Sequence, residues 1–231
     1  QVQLVRAKHL SAIGTLAATI AHELRNPLAD IGLSTHRIKN MVHDPLVEEV
    51  LAGIDARVSE SDQIINNILM YSKTAITHFE PVKINDILRG CVAEEAQKFP
   101  KAKIAVNENI ERTNGLSIEA DPVRIKEVFL NILDNAFEAV DPAAGIIEIE
   151  SDIHNSRMSV LIKDNGEGIT KKDLKNVTSP FFTTKAKGTG LGLSVCKQVV
   201  ALHGGSMTIK SAKGTGTTVA VTLPTHRRKD A

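Results

Sequence analysis

Two long amphipathic stretches joined by one break limit what this chain can fold into more than any other feature. From about Val2 to Val42, apolar or small residues recur at Leu10, Ile13, Ala17, Ile20, Leu24, Ile31, Ile38 and Val42, at spacings of three, four or their sum. That period is the seam of a coiled coil or bundle helix. His43-Asp44-Pro45 interrupts it, and Val47, Val50, Ile54, Val58, Ile65, Ile68 and Leu69 resume it before it fades over Ser72 to Thr77. The first 77 residues therefore read as a helical hairpin. Two helices cannot enclose their own apolar stripes, so a homodimer through these N-terminal helices, forming a four-helix bundle, is the economical solution.

Beyond His78 the texture changes. Short β-rich runs (Lys103 to Val106, Ile146 to Ser151, Met158 to Lys163, Ser206 to Lys210, Thr217 to Leu223) alternate with helical segments at about Ile84 to Lys98, Pro122 to Val140 and Leu191 to Leu202. Strands mixed with helices and joined by Gly-rich turns predict an α/β sandwich with one sheet face covered. The boundary falls at about Ala75 to Pro81, where the helical period ends and a proline begins an extended entry. This gives an all-α domain over 1–77 and an α/β domain over 78–231. At 231 residues and 42% hydrophobic composition both can bury a core.

Charge removes several function classes. The 28 Lys and Arg nearly cancel the 27 Asp and Glu, so no overall field draws the chain to nucleic acid or an anionic membrane. Trp is absent and Tyr71 is the only tyrosine, which leaves few stacking platforms for single-stranded nucleic acid. Cys91 and Cys196 lack metal-type spacing and are read as inert thiols of a reduced, cytoplasmic protein. No run approaches the roughly 18 apolar residues of a membrane span. The start QVQLVRAKHL has neither an initiator Met nor a signal-peptide profile, so the chain is expected to be a fragment, and any membrane anchor lies outside it.

With Ala17, Ile20, Leu24 and Ile31 as the buried seam, His22 lies two residues from both Ile20 and Leu24 and projects toward solvent. An exposed imidazole is a competent nitrogen nucleophile, and Glu23 beside it can orient the ring or accept its proton. Asn26, at i+4, shares the face of His22 and could position a water. Pro27 should bend the helix just past this site. By itself, an exposed His beside a Glu is more often just a solvated helix face.

Downstream, Asn131 and Asn135 are four apart within a predicted helix, so both amides project from one face. Their carbonyl oxygens suit Mg²⁺, although an isolated Asn pair is more often surface or capping chemistry. Asp164-Asn165-Gly166-Glu167-Gly168 places a carboxylate after a strand and before a turn whose glycines let the backbone approach a ligand. The carboxylate could accept from an exocyclic amine such as adenine N6; the run is equally readable as a plain turn. Gly188-Thr189-Gly190-Leu191-Gly192 opens a helix and supplies unencumbered amides for phosphate. Neither a P-loop nor a dinucleotide fingerprint is present. Lys185 precedes this run, either to reach a terminal phosphate or as a solvated loop charge.

Taken together, these strings resemble one family. HELRNPLADI (residues 22–31) closely resembles the H-box of sensor histidine kinases, NILDNAFEA the N-box, DNGEGI the first Gly box, SPFFTTK the F-box, GTGLGLS the second Gly box, and GTGTT at 214–218 the final Gly turn. The six matches cover both proposed domains in the family's order, and the FFTTK variant with Glu138 and Ala139 is most similar to the nitrogen-regulatory and sporulation branches. The resemblance implies a Bergerat-type ATP fold, with His22 as phosphoacceptor and Glu23 and Asn26 as its acidic and hydrolysis partners. It further implies Asn131 and Asn135 for Mg²⁺ and phosphates, Asp164 for adenine, Gly166 and Gly168 for the pocket turn, and Gly188, Gly190 and Gly192 for the phosphate lid. The implied partner is an Asp on a response-regulator receiver domain. Two other classes compete: a nucleotide-gated protein-binding switch with weak phosphotransfer, and a gyrase-like ATPase, which would lack an H-box hairpin in front.

Overall fold

Asp44 and Pro45 convert the sequence break into a helix start. The Asp44 carboxylate accepts from the main-chain NH of Leu46 at 2.8 Å and of Val47 at 3.4 Å, and Pro45, which has no NH to satisfy, opens the helix. The structure is a computed structural model that describes residues 23–42, 44–72, 78–100, 102–185 and 188–226. The chain divides into two compact units, residues 1–75 and 76–231.

In the first unit, α1 (23–41) and α2 (Pro45–Ser72) form the hairpin that the periodicity predicts. Thr35, buried on α1, donates through Oγ1 to Asp55 Oδ1 at 2.6 Å and ties the helices together. Leu51 and Ile65 are buried, but much of the expected seam is open: Leu24 is 48% exposed, Ile31 43% and Val50 62%. A lone hairpin has nothing to lay against these side chains.

The second unit is built on a five-stranded sheet. Its strands are β2 (Ala105–Asn109), β4 (Ile146–His154), β5 (Arg157–Asp164), β6 (Ser206–Ala212) and β7 (Gly216–Pro224), in the order β2-β4-β5-β7-β6. Among the described residues, only the β2–β4 pairing is parallel. Strict alternation sends Ile147, Ile149, Met158, Val160, Ile162, Val221 and Leu223 to one face, where they are buried. That face is covered by α3 (Ile84–Lys98), α4 (Pro122–Ala139) and α6 (Gly192–Leu202). The expected α/β sandwich with one covered face is thus observed. Between them, β1 (Glu80–Val82) and β3 (Ile118–Ala120) pair as a separate antiparallel ribbon, and α5 (Lys171–Leu174) is a single turn.

The central helix α4 carries the core and half of the site. Asp121 caps it, its Oδ1 accepting from Val123 NH at 3.0 Å and Arg124 NH at 3.1 Å, ahead of Pro122. Ile125, Val128, Phe129, Ile132, Leu133, Ala136 and Phe137 fill the core at helical spacing. The thiols of Cys91 and Cys196 point from α3 and α6 to carbonyls of α4, Lys126 O and Val128 O, each at 3.7 Å. Burial pushes both thiols up to about 12, so they stay protonated and unreactive.

Candidate nucleotide-binding site

Asn131 and Asn135 occupy the face of α4 left over from the core. Each turns its amide nitrogen back onto the helix: Asn131 Nδ2 donates to Glu127 O at 2.9 Å and Asn135 Nδ2 to Asn131 O at 2.6 Å. With the nitrogens so engaged, the amide oxygens face outward, and they are the hard donors that a magnesium ion takes. Asn135 Oδ1 accepts from Lys185 Nζ at 2.8 Å. A Cβ on Gly192 would come within 2.7 Å of Asn131 Oδ1, so only glycine lets the start of α6 approach this amide.

The N-terminus of α6 is suited to an anion. Its N-cap residue, Leu191, makes no side-chain cap, leaving the first-turn amides without that partner. Gly190, at φ 67°, packs where a Cβ would strike the Phe181 carbonyl carbon at 2.5 Å. Phe181 itself sits in the left-handed region at φ 64° and is exposed, a strained conformation of the sort found at functional turns. Gly188 lies against Thr183 Oγ1.

Asp164 closes β5 and is buried. Its Oδ1 accepts from Gly166 NH at 2.9 Å and from Thr217 NH at 3.1 Å, while Oδ2 has no protein partner among the described residues. Burial raises the pKa of this carboxyl, and the two amide donors oppose the shift. The turn after it is fastened to α4: Glu167 NH donates to Ala139 O at 3.1 Å, and a Cβ on Gly166 would meet the same oxygen at 2.5 Å. Gly168 abuts the Ala212 carbonyl. Gly216, at φ 94°, lies so close to the Asp164 carbonyl that a Cβ would stand 1.9 Å from its oxygen.

The α4 stretch from Asn131 to Ala139 therefore forms one wall, about 12 Å long by helical rise, with the carboxylate turn at one end and the α6 N-terminus at the other. Asn131 and Asn135 lie on this wall, Gly166, Lys185 and Gly192 touch it, and Asp164 is joined to it through the Gly166 turn, whereas Gly168 packs on Ala212, Gly188 on Thr183 and Gly190 on Phe181. Thr217 and Glu138, which lie inside the GTGTT and NILDNAFEA strings but have no place in the site on sequence grounds, join them. Thr217 contributes only a main-chain NH, which leaves no mark in a sequence; Glu138 was legible as an acidic i+3 neighbour of Asn135. Glu23 and Asn26 lie exposed on α1 in the first unit, and His22 falls outside the described residues.

A hollow of about 320 Å³ opens beyond the final Gly turn, lined by Lys163, Asp164, Lys210, Ser211 and Thr215 to Thr218. Lys163, Thr218 and Lys210 form one cross-strand row on the sheet face opposite the helices. The Asn pair and the α6 N-terminus lie on the other side, so this hollow is not where the chemistry collects.

Two family profiles match the chain: "Histidine kinase-, DNA gyrase B-, and HSP90-like ATPase" over residues 120–227 and "His Kinase A (phospho-acceptor) domain" over residues 12–75. Sporulation kinase C of Bacillus subtilis (strain 168) is 31% identical over 218 residues, covering 94% of this chain and 50% of that protein. The chain spans about half the length of the curated relatives it matches first. The catalytic domain of the histidine kinase ThkA is 30% identical with a TM-score of 0.59, covering 65% of this chain and 97% of that one. The same kinase in complex with the response regulator TrrA superposes over 97% of this chain and 65% of that one, at 30% identity and a TM-score of 0.69. Full-length ShkA with AMPPNP shares the fold at a TM-score of 0.79 and 20% identity, over 91% of this chain and 45% of that one.

Proposed function

Because the chain belongs to the sensor histidine kinase family, with a phosphoacceptor helical region followed by an ATP-binding α/β domain, we propose that it phosphorylates its own His22 from Mg-ATP and passes the phosphoryl group to an aspartate of a response-regulator receiver domain. The observation that carries this reading is the single α4 wall, with a carboxylate whose Oδ2 has no protein partner among the described residues at one end, and two amide oxygens beside an uncapped helix N-terminus at the other. Residues 1–77 serve as the dimerisation and phosphotransfer domain, and residues 78–231 as the catalytic domain.

Asp164 Oδ2 accepts from the adenine amine. Asn131 and Asn135 offer oxygens to Mg²⁺, which supplies charge neutralisation at the phosphates. Gly188 to Gly192 bring main-chain amides to the phosphate chain, and Lys185 meets its terminal group. Catalysis is then positioning and charge compensation, as in other phosphoryl transfers. Glu23 holds the ring nitrogen of His22 opposite the attacking one or takes its proton. The phosphoramidate so formed is labile enough to pass to a carboxylate. Asn26, one turn on, aims water at the regulator's phospho-aspartate in a separate hydrolytic reaction that releases inorganic phosphate.

Support for a regulator partner comes from the complex of ThkA with TrrA, and support for a homodimer from the open apolar stripes of the hairpin. No helix among the described residues is long and apolar enough to cross a membrane. ATP use and a receiver-domain partner support a cytoplasmic setting for these two domains.

The test is incubation with γ-labelled ATP and Mg²⁺, comparing wild type with His22→Ala. Acid-labile, base-stable label that vanishes in the variant is the expected result. Equal label in both proteins would remove His22 as acceptor, and nucleotide-dependent partner binding without label would favour a switch.

A further inference from the structure

The lysine ahead of the phosphate loop is held by two side chains of α4. Lys185 Nζ donates to Asn135 Oδ1 at 2.8 Å and makes a close ion pair with the Glu138 carboxylate. Asn135 and Glu138 are three apart on α4 and so share a face. The Lys185 backbone is fixed as well: its NH donates to Thr183 Oγ1 at 3.1 Å, and its carbonyl accepts from Gly188 NH at 3.3 Å. The ammonium therefore rests on the amide assigned above to the metal and phosphates.

We infer that Glu138 competes with nucleotide for Lys185. It holds the ammonium against α4 until a terminal phosphate draws it away, and it thereby sets the preference between nucleoside triphosphate and diphosphate. This rests on the ATP reading of the site. A carboxylate one turn from Asn135 repels phosphate unless it is neutralised, and Lys185 neutralises it. A γ-phosphate offers the ammonium a more highly charged partner than one carboxylate. A diphosphate lacks that group, so the Lys185–Glu138 pair persists beside it. Once the γ-phosphoryl group has moved to His22, the pair re-forms and no longer holds the product. Both side chains are about 44% exposed, and a pair so solvated changes an equilibrium by only about two- to fivefold.

The experiment is calorimetric binding of AMPPNP and of ADP, each with Mg²⁺, to the full chain as wild type, Glu138→Gln, Lys185→Gln and the double variant. Gln keeps the shape and an acceptor at 138 while removing the charge. The expected result is AMPPNP binding two- to fivefold tighter in Glu138→Gln with ADP unchanged, and a smaller gain when Lys185 is already Gln. Simple repulsion by Glu138 predicts a gain at least as large in the Lys185→Gln background, and that outcome overturns the competition, as does an equal gain for ADP. Acylation of lysine amines read by mass spectrometry gives a second measure. Lys185 should react faster in nucleotide-free Glu138→Gln than in wild type, and equal rates count against the pair. If wild type binds neither nucleotide, the ATP reading itself falls; if it binds both and Glu138 is neutral, only the competition does.

Discussion

His203 Nε2 accepts a hydrogen bond from the main-chain NH of Asp121 at 3.0 Å, fastening the C-terminal end of α6 to the cap of α4. Its other ring nitrogen, Nδ1, lies 2.8 Å from Val199 O and must donate there. Only the neutral ring protonated on Nδ1 satisfies both contacts. The ring is buried against Phe79, with centroids 4.9 Å apart. An uncharged imidazole thus adds one tie between the two helices that bear Asn131 and Gly192.

Burial lowers the His203 pKa below its ordinary value of 6.5. The unfolded chain then binds this proton more tightly than the folded one, so stability is fully present above 6.5 and is lost as pH falls through that value toward the lowered one. Replacing His203 by Gln should cost about 1–3 kcal/mol at neutral pH, the usual penalty for a disrupted buried hydrogen bond. It should also flatten the acid side of the stability profile. Urea unfolding of both proteins across a pH series reads this directly; identical slopes below 6.5 would mean that another group carries the pH dependence.

Gly214 and Gly216 separate backbone strain from close approach. Both have positive φ, 81° and 94°, but a Cβ on Gly214 meets nothing within 4 Å whereas one on Gly216 would meet Asp164 O at 1.9 Å. Gly214→Ala should cost about 1–2 kcal/mol from the left-handed conformation alone. Gly216→Ala must in addition push β7 away from β5, separating the Thr217 NH from Asp164. Nucleotide titrations should show near-normal binding for Gly214→Ala and none measurable for Gly216→Ala. Similar affinities in the two variants would show that the turn adapts and does not buttress the carboxylate.

How much of this was legible beforehand depends on the range of the interaction that builds each part. The boundaries of α3 follow from local periodicity, and β4 to β7 were visible because their buried and exposed residues alternate. β1 and β3 were missed: at three residues each they carry no period, and each exists only because the other pairs with it across nearly forty positions. The site residues stand out because glycine, asparagine and aspartate at fixed spacing are unusual. What holds them does not stand out. Thr217 reaches Asp164 across 53 residues and His203 reaches Asp121 across 82, and no local pattern encodes a through-space partner.

Asp164→Asn isolates the oxygen proposed for adenine. An Asn side chain can keep Oδ1 toward the Gly166 and Thr217 amides, so the turn should hold, but it presents a donor where Oδ2 had accepted. ATP binding should weaken by about 10- to 100-fold, the equivalent of about 1.5–3 kcal/mol for a lost charge-assisted bond. Because burial raises the Asp164 pKa, wild-type affinity should decline on acidification earlier than an exposed aspartate would allow. Calorimetric titration with ATP over a pH series tests both statements. Retained affinity in the Asn variant would place adenine elsewhere.

Val50 tests the open side of the hairpin. It is 62% exposed on α2, one position from the buried Leu51, and it continues an apolar edge with Leu46 and Ile54, also exposed. A glutamate there meets only water in a lone hairpin and should leave helix content unchanged. In a four-helix bundle the same substitution buries an unpaired carboxylate, which costs several kcal/mol and is felt in both protomers. Light scattering should therefore give twice the chain mass for wild type and a single chain mass for Val50→Glu, with equal circular dichroism at 222 nm. If the variant remains dimeric, the association uses a different face, and the exposed edge through Leu46, Val50 and Ile54 lies outside it.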